Sequence, residues 1–225
     1  MGRFFCYNKH MLLIDSLIQE DWLKTPRIIQ AFKKIKRVDF LTQEMRDMAE
    51  ANTALPIGFG QTISQPLVVA FMLELLKPEE GDKILDVGSG SGWTSALLAE
   101  IVGEKGKVVS VEIIPELSEF GKNNINKYGF IDKKIVEPLC IDGSKGYQNL
   151  APYDKILCSA SISSKQSLPL AWQEQLKDRG RIVAPISSSI WLFVKKSSFL
   201  EKFTNQAGFE KIEYPGFVFV PLTHK

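Results

Sequence analysis

The chain has few of the residues that build disulfide frameworks, zinc sites and histidine-based catalysis. Its three cysteines, Cys6, Cys140 and Cys158, are odd in number and lack metal-ligand spacing. This argues against a disulfide framework and against a zinc site, and it favours a reducing compartment. The two histidines, His10 and His224, lie near the ends of the chain, where we expect no positioned general base.

Long apolar runs and an excess of charge of one sign are also lacking. The longest apolar stretch, residues 66–72, ends before Glu74 and is far too short to span a membrane. The first ten residues have no sustained apolar core ahead of a cleavage site, so we expect no signal peptide and a cytoplasmic protein. A net charge of +2, with dispersed lysine and arginine, indicates no nucleic-acid-binding surface.

The most informative segment is residues 84–94, in which an apolar strand ends at Asp86 and a glycine-rich turn leads into a helix. The turn alternates glycine and serine: Gly88, Ser89, Gly90, Ser91 and Gly92. A dinucleotide loop has its third glycine where this chain has Trp93, which is too large for close helix–strand packing. The acid-x-G-x-G-x-G pattern is identified instead as the S-adenosylmethionine loop of Rossmann-like methyltransferases. The negative charge of Asp86 suits that cofactor's sulfonium and ammonium groups.

From residue 83 onward, predicted strands and helices alternate, which is typical of a doubly wound, mostly parallel sheet. The predicted strands are 84–87, 108–112, 135–141, 155–159, 181–186, 190–195 and 216–220, and the predicted helices are 93–102, 115–128 and 168–177. We therefore predict an α/β fold with a seven-stranded sheet that includes an antiparallel strand.

Two short amphipathic helices, divided at Pro26, are predicted within residues 12–35. Residues 54–61 contain too much proline and glycine for us to expect regular structure there. We expect residues 1–60 to form a helical and loop region that covers the active site. Residues 61–225 are expected to form the cofactor-binding domain of the same structural unit.

Acidic residues follow two further predicted strands, at the edge where open α/β sheets bind ligands. Glu112, with Ile113 beside it, is placed to accept both ribose hydroxyls, a feature that alone fits NAD as well as S-adenosylmethionine. Asp142 is placed to accept the adenine amino group, and Gly143 leaves room for the ring. Because Asp-Gly is also a favoured turn pair, a plain turn at Asp142 stays open.

Residues 55–66, LPIGFGQTISQP in one-letter code, closely resemble the signature of protein-L-isoaspartate O-methyltransferases. Four other segments are similar to motifs of that family: 37–40, 142–144, 151–154 and 219–222. The resemblance implies methyl transfer from S-adenosylmethionine to the free carboxylate of an isoaspartyl residue in damaged protein. The implied partners are isoaspartyl peptides and proteins, with no nucleic acid or membrane, and we expect a monomer.

The resemblance also implies roles for individual residues. Ser64 matches the family's active-site serine, and we expect it to N-cap a helix beginning near Pro66, where free N–H groups favour an anion. On the cofactor side the resemblance adds Thr62 and Ile63. On the substrate side it implies Pro56, Ile57, Gly58, Ser161 and Val220. A carboxylate acceptor is ionised at pH 7, so no general base is required.

The chain departs from the family's pattern at Glu50, Asn52, Ser161 and Val218, which the resemblance places around the peptide substrate. Two alternatives therefore stay open. One is a carboxyl methyltransferase for a different small-molecule or modified-peptide acceptor. The other is a cofactor-binding homologue without turnover.

Overall fold

The computed structural model describes residues 12–163, 168–197 and 208–223. The helices are α1 (Leu13–Gln19), α2 (Pro26–Lys34), α3 (Pro66–Leu76), α4 (Trp93–Val102), α5 (Pro115–Asn126) and α6 (Leu170–Gln175). The strands are β1 (Leu55–Gly58), β2 (Gln61–Ile63), β3 (Lys83–Val87), β4 (Lys107–Glu112), β5 (Val136–Cys140), β6 (Tyr153–Cys158), β7 (Leu176–Ile186), β8 (Ser189–Lys195) and β9 (Phe209–Pro215). None of the helices in these ranges has the length and apolar character that a membrane crossing requires.

Seven strands form one sheet in the order β5-β4-β3-β6-β7-β8-β9. The pairs from β5 to β7 are parallel, whereas β8 and β9 pair antiparallel. The predicted α/β fold with a doubly wound, mostly parallel seven-stranded sheet is therefore confirmed. The chain runs outward from β3 to β5 and then returns to place β6 on the other side of β3. The junction between β3 and β6 is thus the topological switch point, where open sheets bind ligands.

Alternate residues of each central strand pack on opposite faces of the sheet. Leu157 of β6 belongs to the hydrophobic cluster that also contains Leu73 of α3 and Leu97 of α4. Its neighbour Cys158 belongs to the second cluster, together with Trp172 of α6. Since side chains in a strand alternate, each strand fixes which layer of helices its last residues face.

The N-terminal part confirms the two predicted helices and corrects one expectation. Pro26 is the first residue of α2, where its fixed φ and missing N–H are tolerated. The expectation of no regular structure over 54–61 is wrong, because β1 and β2 form an antiparallel hairpin. Leu55, Ile57 and Ile63 are buried in the core, so alternate burial stabilises the hairpin despite its proline and glycines.

The C-terminal part corrects a second expectation. The last strand is β9 rather than residues 216–220, because Gly216, at φ +99°, ends the strand. β9 is an edge strand whose Glu210, Lys211 and Glu213 are exposed, so it lacks an alternating apolar pattern. At the other edge, β5 contains Pro138, which has no N–H to donate to a further strand.

Candidate functional site: two adjoining clefts

A cleft of about 740 Å³, counted with the open solvent at its mouth, lies at the carboxyl ends of β3, β4 and β6. It is lined by the hairpin and the residue after it (Ile57, Gln61, Thr62, Ile63, Ser64), by the glycine turn and helix start (Val87, Gly88, Ser89, Gly90, Ser91, Trp93, Thr94), by the end of β4 (Val111, Glu112, Ile113, Ile114) and by Gly143, Ser159, Ala160, Val220, Pro221, Leu222 and Thr223.

The glycine turn has the conformation that the sequence predicts for close backbone approach. Gly88, Gly90 and Gly92 all have positive φ, from +50° to +84°. A Cβ built on Gly92 would lie 2.7 Å from the carbonyl oxygen of Gly121 in α5. Gly92 is the N-cap of α4 and lies behind the cleft, whereas the two preceding glycines line it. The third glycine therefore lets α4 and α5 pack, and the first two leave room for a ligand.

Asp86 lies beneath the turn rather than on the cleft wall. It is 0% exposed, and its Oδ2 accepts hydrogen bonds from the hydroxyls of Thr94 (2.8 Å) and Ser95 (2.6 Å). Its Oδ1 is buried and has no hydrogen-bond partner among the described residues. Burial raises the pKa of Asp86 to about 6, despite the two hydroxyl donors. The carboxylate therefore fixes the start of α4 and places a negative charge behind the glycine turn.

Glu112 does line the cleft, at the end of β4. Its Oε2 accepts a hydrogen bond from the N–H of Gly90 (2.9 Å), so the carboxylate and the glycine turn are joined. Its Oε1 accepts from the N–H groups of Ile113 (2.8 Å) and Ile114 (3.0 Å). The side chain is thus held at one place by three backbone donors, and the remaining acceptor capacity of its two oxygens faces the cleft.

Of the neighbouring residues Asp142 and Gly143, only Gly143 is part of the cleft lining. Gly143 lines the cleft, and a Cβ there would lie 2.5 Å from Cγ1 of Val87. The Oδ1 of Asp142 accepts from the N–H (3.0 Å) and hydroxyl (2.7 Å) of Ser144, and its Oδ2 lies 3.6 Å from Nζ of Lys145. The turn that the Asp-Gly pair favours is therefore present, and Asp142 is absent from the lining of the cleft as described.

A second cleft adjoins the first and shares part of its wall. The shared residues are Thr62, Ser64, Ser159, Val220 and Pro221. The second cleft is completed by Ala54, Gln65, Val68, Val218 and Phe219. None of these ten described residues is charged, so an anion bound there meets hydroxyl, amide and backbone groups rather than a cation. We call the first space the cofactor cleft and the second the acceptor cleft.

Ser64 lies at the common wall of the two clefts, but it does not cap α3. The N-cap of α3 is Gln65, and Pro66 occupies the first helical position. The N–H of Leu67 donates instead to Oδ1 of Asn52 (3.0 Å). The expected cap was therefore wrong, and the first two helical positions have no free N–H to offer an anion. The Ser64 hydroxyl makes no hydrogen bond to any described residue and stays available.

Arg37, absent from our list of site residues, holds the backbone that carries Ser64. Its guanidinium donates to four carbonyl oxygens: those of Ala49 (3.2 Å), Ala51 (2.9 Å), Thr53 (2.7 Å) and Ser64 (3.3 Å). It also lies over the ring of Trp93, 5.5 Å from the ring centre. Burial lowers the pKa of Arg37 to about 10, which leaves it charged at neutral pH. The resemblance at residues 37–40 was the only signal for it.

The structure brings most of the predicted site residues together. Ile57, Thr62, Ile63, Ser64, Gly88, Ser89, Gly90, Ser91, Glu112, Ile113, Gly143 and Val220 line the two clefts. Ile57, expected on the substrate side, lies in the cofactor cleft. Six others are outside both linings: Pro56, Gly58, Asp86, Gly92, Asp142 and Ser161. Ser161 instead donates its hydroxyl to the carbonyl oxygen of Ser187 (3.2 Å) and pairs with Pro221 through the backbone.

Ser159 is a lining residue that the sequence reasoning missed. It follows β6 directly, as Asp142 closely follows β5, so the rule that pointed to acids after strands would have pointed to it. A serine after a strand is a common residue with no charge, so the sequence alone does not mark it as a ligand-binding residue. Gln61, Ala160 and Leu222 were missed because only their fold position brings them to the cleft.

Comparison with known proteins agrees with this geometry. The family model of protein-L-isoaspartate(D-aspartate) O-methyltransferase matches residues 8–225. A protein-L-isoaspartate O-methyltransferase of Methanopyrus kandleri is 39% identical over 214 residues, which is 93% of this chain and 89% of that protein. Protein-L-isoaspartate O-methyltransferase 2 of Archaeoglobus fulgidus is 45% identical over 169 residues, 75% of this chain and 74% of that protein.

Two solved structures have the same fold. One, a Plasmodium falciparum protein in complex with S-adenosyl-L-homocysteine, has a TM-score of 0.79 at 20% identity and covers 94% of this chain and 96% of its own. The other is named protein-L-isoaspartate O-methyltransferase. It has a TM-score of 0.81 at 27% identity and covers 94% of this chain and 65% of its own. The family match over residues 8–225 and the relatives at 39% and 45% identity establish that the chain belongs to the protein-L-isoaspartate(D-aspartate) O-methyltransferase family.

Proposed function

We propose that the chain is an S-adenosylmethionine-dependent carboxyl O-methyltransferase that methylates the free carboxylate of L-isoaspartyl residues in damaged proteins and peptides. The observation that carries the proposal is the position of Ser64. Its unbonded hydroxyl lies where the cofactor cleft meets an uncharged acceptor cleft. A donor at that wall can orient an anionic acceptor toward a group held in the neighbouring space.

The residues of the cofactor cleft fit S-adenosylmethionine. Gly88 and Gly90 present backbone without a side chain at the cleft wall, where a Cβ on Gly90 would also crowd Cδ1 of Ile57 at 3.2 Å. Glu112 would hold the ribose hydroxyls, and the buried charge of Asp86 favours a cationic ligand. When bound, the cofactor supplies a methyl group on a positively charged sulfur, which transfers to oxygen and leaves a neutral thioether. We also propose that Asp142 acts on the adenine, either directly or by shaping the turn around Gly143.

The acceptor side needs orientation rather than proton transfer. A carboxylate is already ionised at pH 7, so ester formation releases no proton and requires no general base. The uncharged walls fit that chemistry, because neither a competing acid nor a tightly pairing cation is among the described residues that line the acceptor cleft. Ser64 would donate to one carboxylate oxygen and leave the other directed at the methyl group.

Methyl transfer from labelled S-adenosylmethionine to two matched peptides tests the proposal. One peptide contains isoaspartate and the other contains aspartate at the same position. Base-labile methyl ester on the isoaspartyl peptide alone supports the proposal. Cofactor binding without label on either peptide would contradict it and favour a different carboxylate acceptor or a homologue without turnover.

Two serine variants then test the role of Ser64. Ser64→Ala should lower kcat at least tenfold while the affinity for S-adenosylhomocysteine changes less than twofold, because the hydroxyl serves the acceptor. Ser118→Ala removes a hydroxyl from α5, away from both clefts, and serves as the matched control. Equal activity of the two variants would remove Ser64 from the reaction.

We further propose that residues 1–60 cover the active site and that the enzyme is a cytoplasmic monomer without nucleic-acid or membrane partners. The first part is supported by Ile57, which reaches the cofactor cleft from β1, and residues 1–11 of this region lie outside the described residues. A net charge of +2 supports the absence of a nucleic-acid partner. Light scattering at micromolar concentration would test the oligomeric state, and a dimer mass would contradict that part.

A further inference from the structure

We propose that Ser159 is a second acceptor-binding residue, whose hydroxyl donates to the same substrate carboxylate as Ser64. The inference rests on the proposed function and adds a specificity-determining residue to it. It starts from the wall that the two clefts share, where Ser64 and Ser159 are both half-buried.

The backbone places Ser159 at the switch point of the sheet. Its N–H donates to the carbonyl oxygen of Val87 (2.9 Å), so the β3–β6 pairing continues one residue beyond the end of β6. The next residue, Ala160, is in contact with Gly88: a Cβ on that glycine would lie 3.5 Å from the Cβ of Ala160. Ser159 is therefore fixed beside the first glycine of the cofactor turn.

The alternation of β6 directs the Ser159 side chain toward α3. Leu157 packs in the hydrophobic cluster that contains α3, and Cys158 packs in the cluster on the opposite face. Two residues after Leu157, Ser159 faces the same side as Leu157. Ser64 directly precedes the N-cap of α3. The two serines thus approach the shared wall from β6 and from the start of α3.

The chemistry of the acceptor cleft requires more than one donor. A carboxylate that leaves water loses hydration at both oxygens, and a buried charge without hydrogen bonds is strongly disfavoured. No charged residue among those described lines this cleft, and one N–H of the Gln65 side-chain amide donates to the carbonyl oxygen of Asn52 (3.0 Å), which orients that amide toward the backbone. The hydroxyls of Ser64 and Ser159 have no partner among the described residues. Thr62 also lines the wall, but its side chain is exposed to solvent.

This assignment explains how an uncharged cleft could select a carboxylate over a carboxamide. Two hydroxyls that both donate match the two anionic oxygens of a carboxylate, whereas a carboxamide offers one neutral acceptor oxygen and lacks the charge that strengthens both hydrogen bonds. One donor would orient the acceptor, and the second would confer most of the discrimination. The two hydroxyls thereby compensate for the lack of a charged residue among the described residues that line the acceptor cleft.

The test compares Ser159→Ala with Ser159→Thr and the control Ser118→Ala, using an isoaspartyl peptide as the methyl acceptor. Ser159→Ala should lower kcat/KM for the isoaspartyl peptide roughly 10- to 100-fold, as expected for a lost hydrogen bond to a charged group. Calorimetry should give S-adenosylhomocysteine affinities within twofold of the wild type. Ser159→Thr, which keeps the hydroxyl, should restore most of the activity, and Ser118→Ala should match the wild type.

Each other result has a definite meaning. A Ser159→Ala enzyme within twofold of the wild type in kcat/KM would overturn the inference and leave the proposed function intact. A loss of S-adenosylhomocysteine affinity together with activity would also overturn it, because the hydroxyl would then serve the cofactor. A wild-type enzyme that does not methylate the isoaspartyl peptide would reject the proposed function, and this inference with it.

Discussion

Substitution of Arg37 gives the sharpest test of how the site is held together. The guanidinium is 6% exposed and donates to four backbone carbonyl oxygens, one of which belongs to Ser64. Arg37→Lys keeps the positive charge but replaces a planar group of five donors by a single ammonium with three. Arg37→Met removes the charge and all donors while filling much of the volume.

The magnitude follows from the bonds that each variant loses. An ammonium cannot reach all four oxygens, so the lysine variant loses one or two hydrogen bonds from a charged donor, about 2–4 kcal/mol of the free energy of unfolding. The methionine variant leaves four carbonyl groups without this partner, which costs about 3–5 kcal/mol. Against this loss, methionine avoids the desolvation that lowers the pKa of Arg37 to about 10. Comparison of the two variants thus separates hydrogen bonding from burial of charge.

Urea unfolding and steady-state kinetics measure the two consequences. Both variants should unfold at lower urea concentration, and kcat should fall because the backbone of Ser64 loses a fixed position. The affinity for S-adenosylhomocysteine should change little, since Arg37 does not line the cofactor cleft. Free energies of unfolding within about 0.5 kcal/mol of the wild type in both variants would refute the reasoning.

Three further predictions concern the cofactor cleft. Gly92→Ala should destabilise the protein by about 2 kcal/mol more than Gly81→Ala on urea unfolding; both glycines have φ +84°, but only the Gly92 Cβ would meet backbone. Equal losses of unfolding free energy in the two variants would exclude an effect of the contact between the Gly92 Cβ and the backbone. Near pH 6, where Asp86 is half protonated, binding of the cationic cofactor should release up to about half a proton, measured by calorimetry in buffers of different ionisation enthalpy. The affinity for the cofactor should therefore fall as the pH drops below 6. Proton release that persists in Asp86→Asn would show that a group other than Asp86 is its source. Glu112→Gln should weaken cofactor binding roughly 10- to 100-fold in the same calorimeter, and unchanged affinity would remove it from the site.

The sequence predicts the parallel part of the fold well because both of its signals are local. Strands such as β3 and β4 are rich in apolar residues and are buried at every residue after the first, as expected for strands that are covered on both faces. Glycine after a run and an amphipathic pattern beyond it then indicate the turn and the helix. These signals depend on burial that every residue of the element shares, so they need no knowledge of distant contacts.

The hairpin and the last strand were missed because their signals are weak. In β1 and β2 only three buried residues, Leu55, Ile57 and Ile63, alternate, and Pro56 and the glycines dominate the composition. In β9 the exposed edge position removes the apolar pattern altogether. Register with a neighbouring strand defines both elements, and that information lies outside the local sequence.

Site residues were predictable where a suitable residue type stands at the end of a strand. They were not predictable where the orientation of the side chain determines whether it reaches the cleft. Glu112 and the glycine turn follow from position alone. Asp86 also ends a strand, but its side chain turns inward to Thr94 and Ser95, which the acid-and-glycine pattern does not reveal. The cap on α3 comes from Asn52, 15 residues from its partner Leu67, so no local rule could assign it.

The two edge strands of the sheet affect how this enzyme interacts with the polypeptides that it meets. A repair enzyme meets polypeptides that are damaged and partly unfolded, whose free backbone groups readily add to an exposed strand. Pro138 interrupts the outer donors of β5, and the charged Glu210, Lys211 and Glu213 cover β9. Such features discourage edge-to-edge pairing. The sheet can therefore present a polypeptide-binding cleft at its carboxyl end, while its edge strands do not pair with the same polypeptides and aggregate.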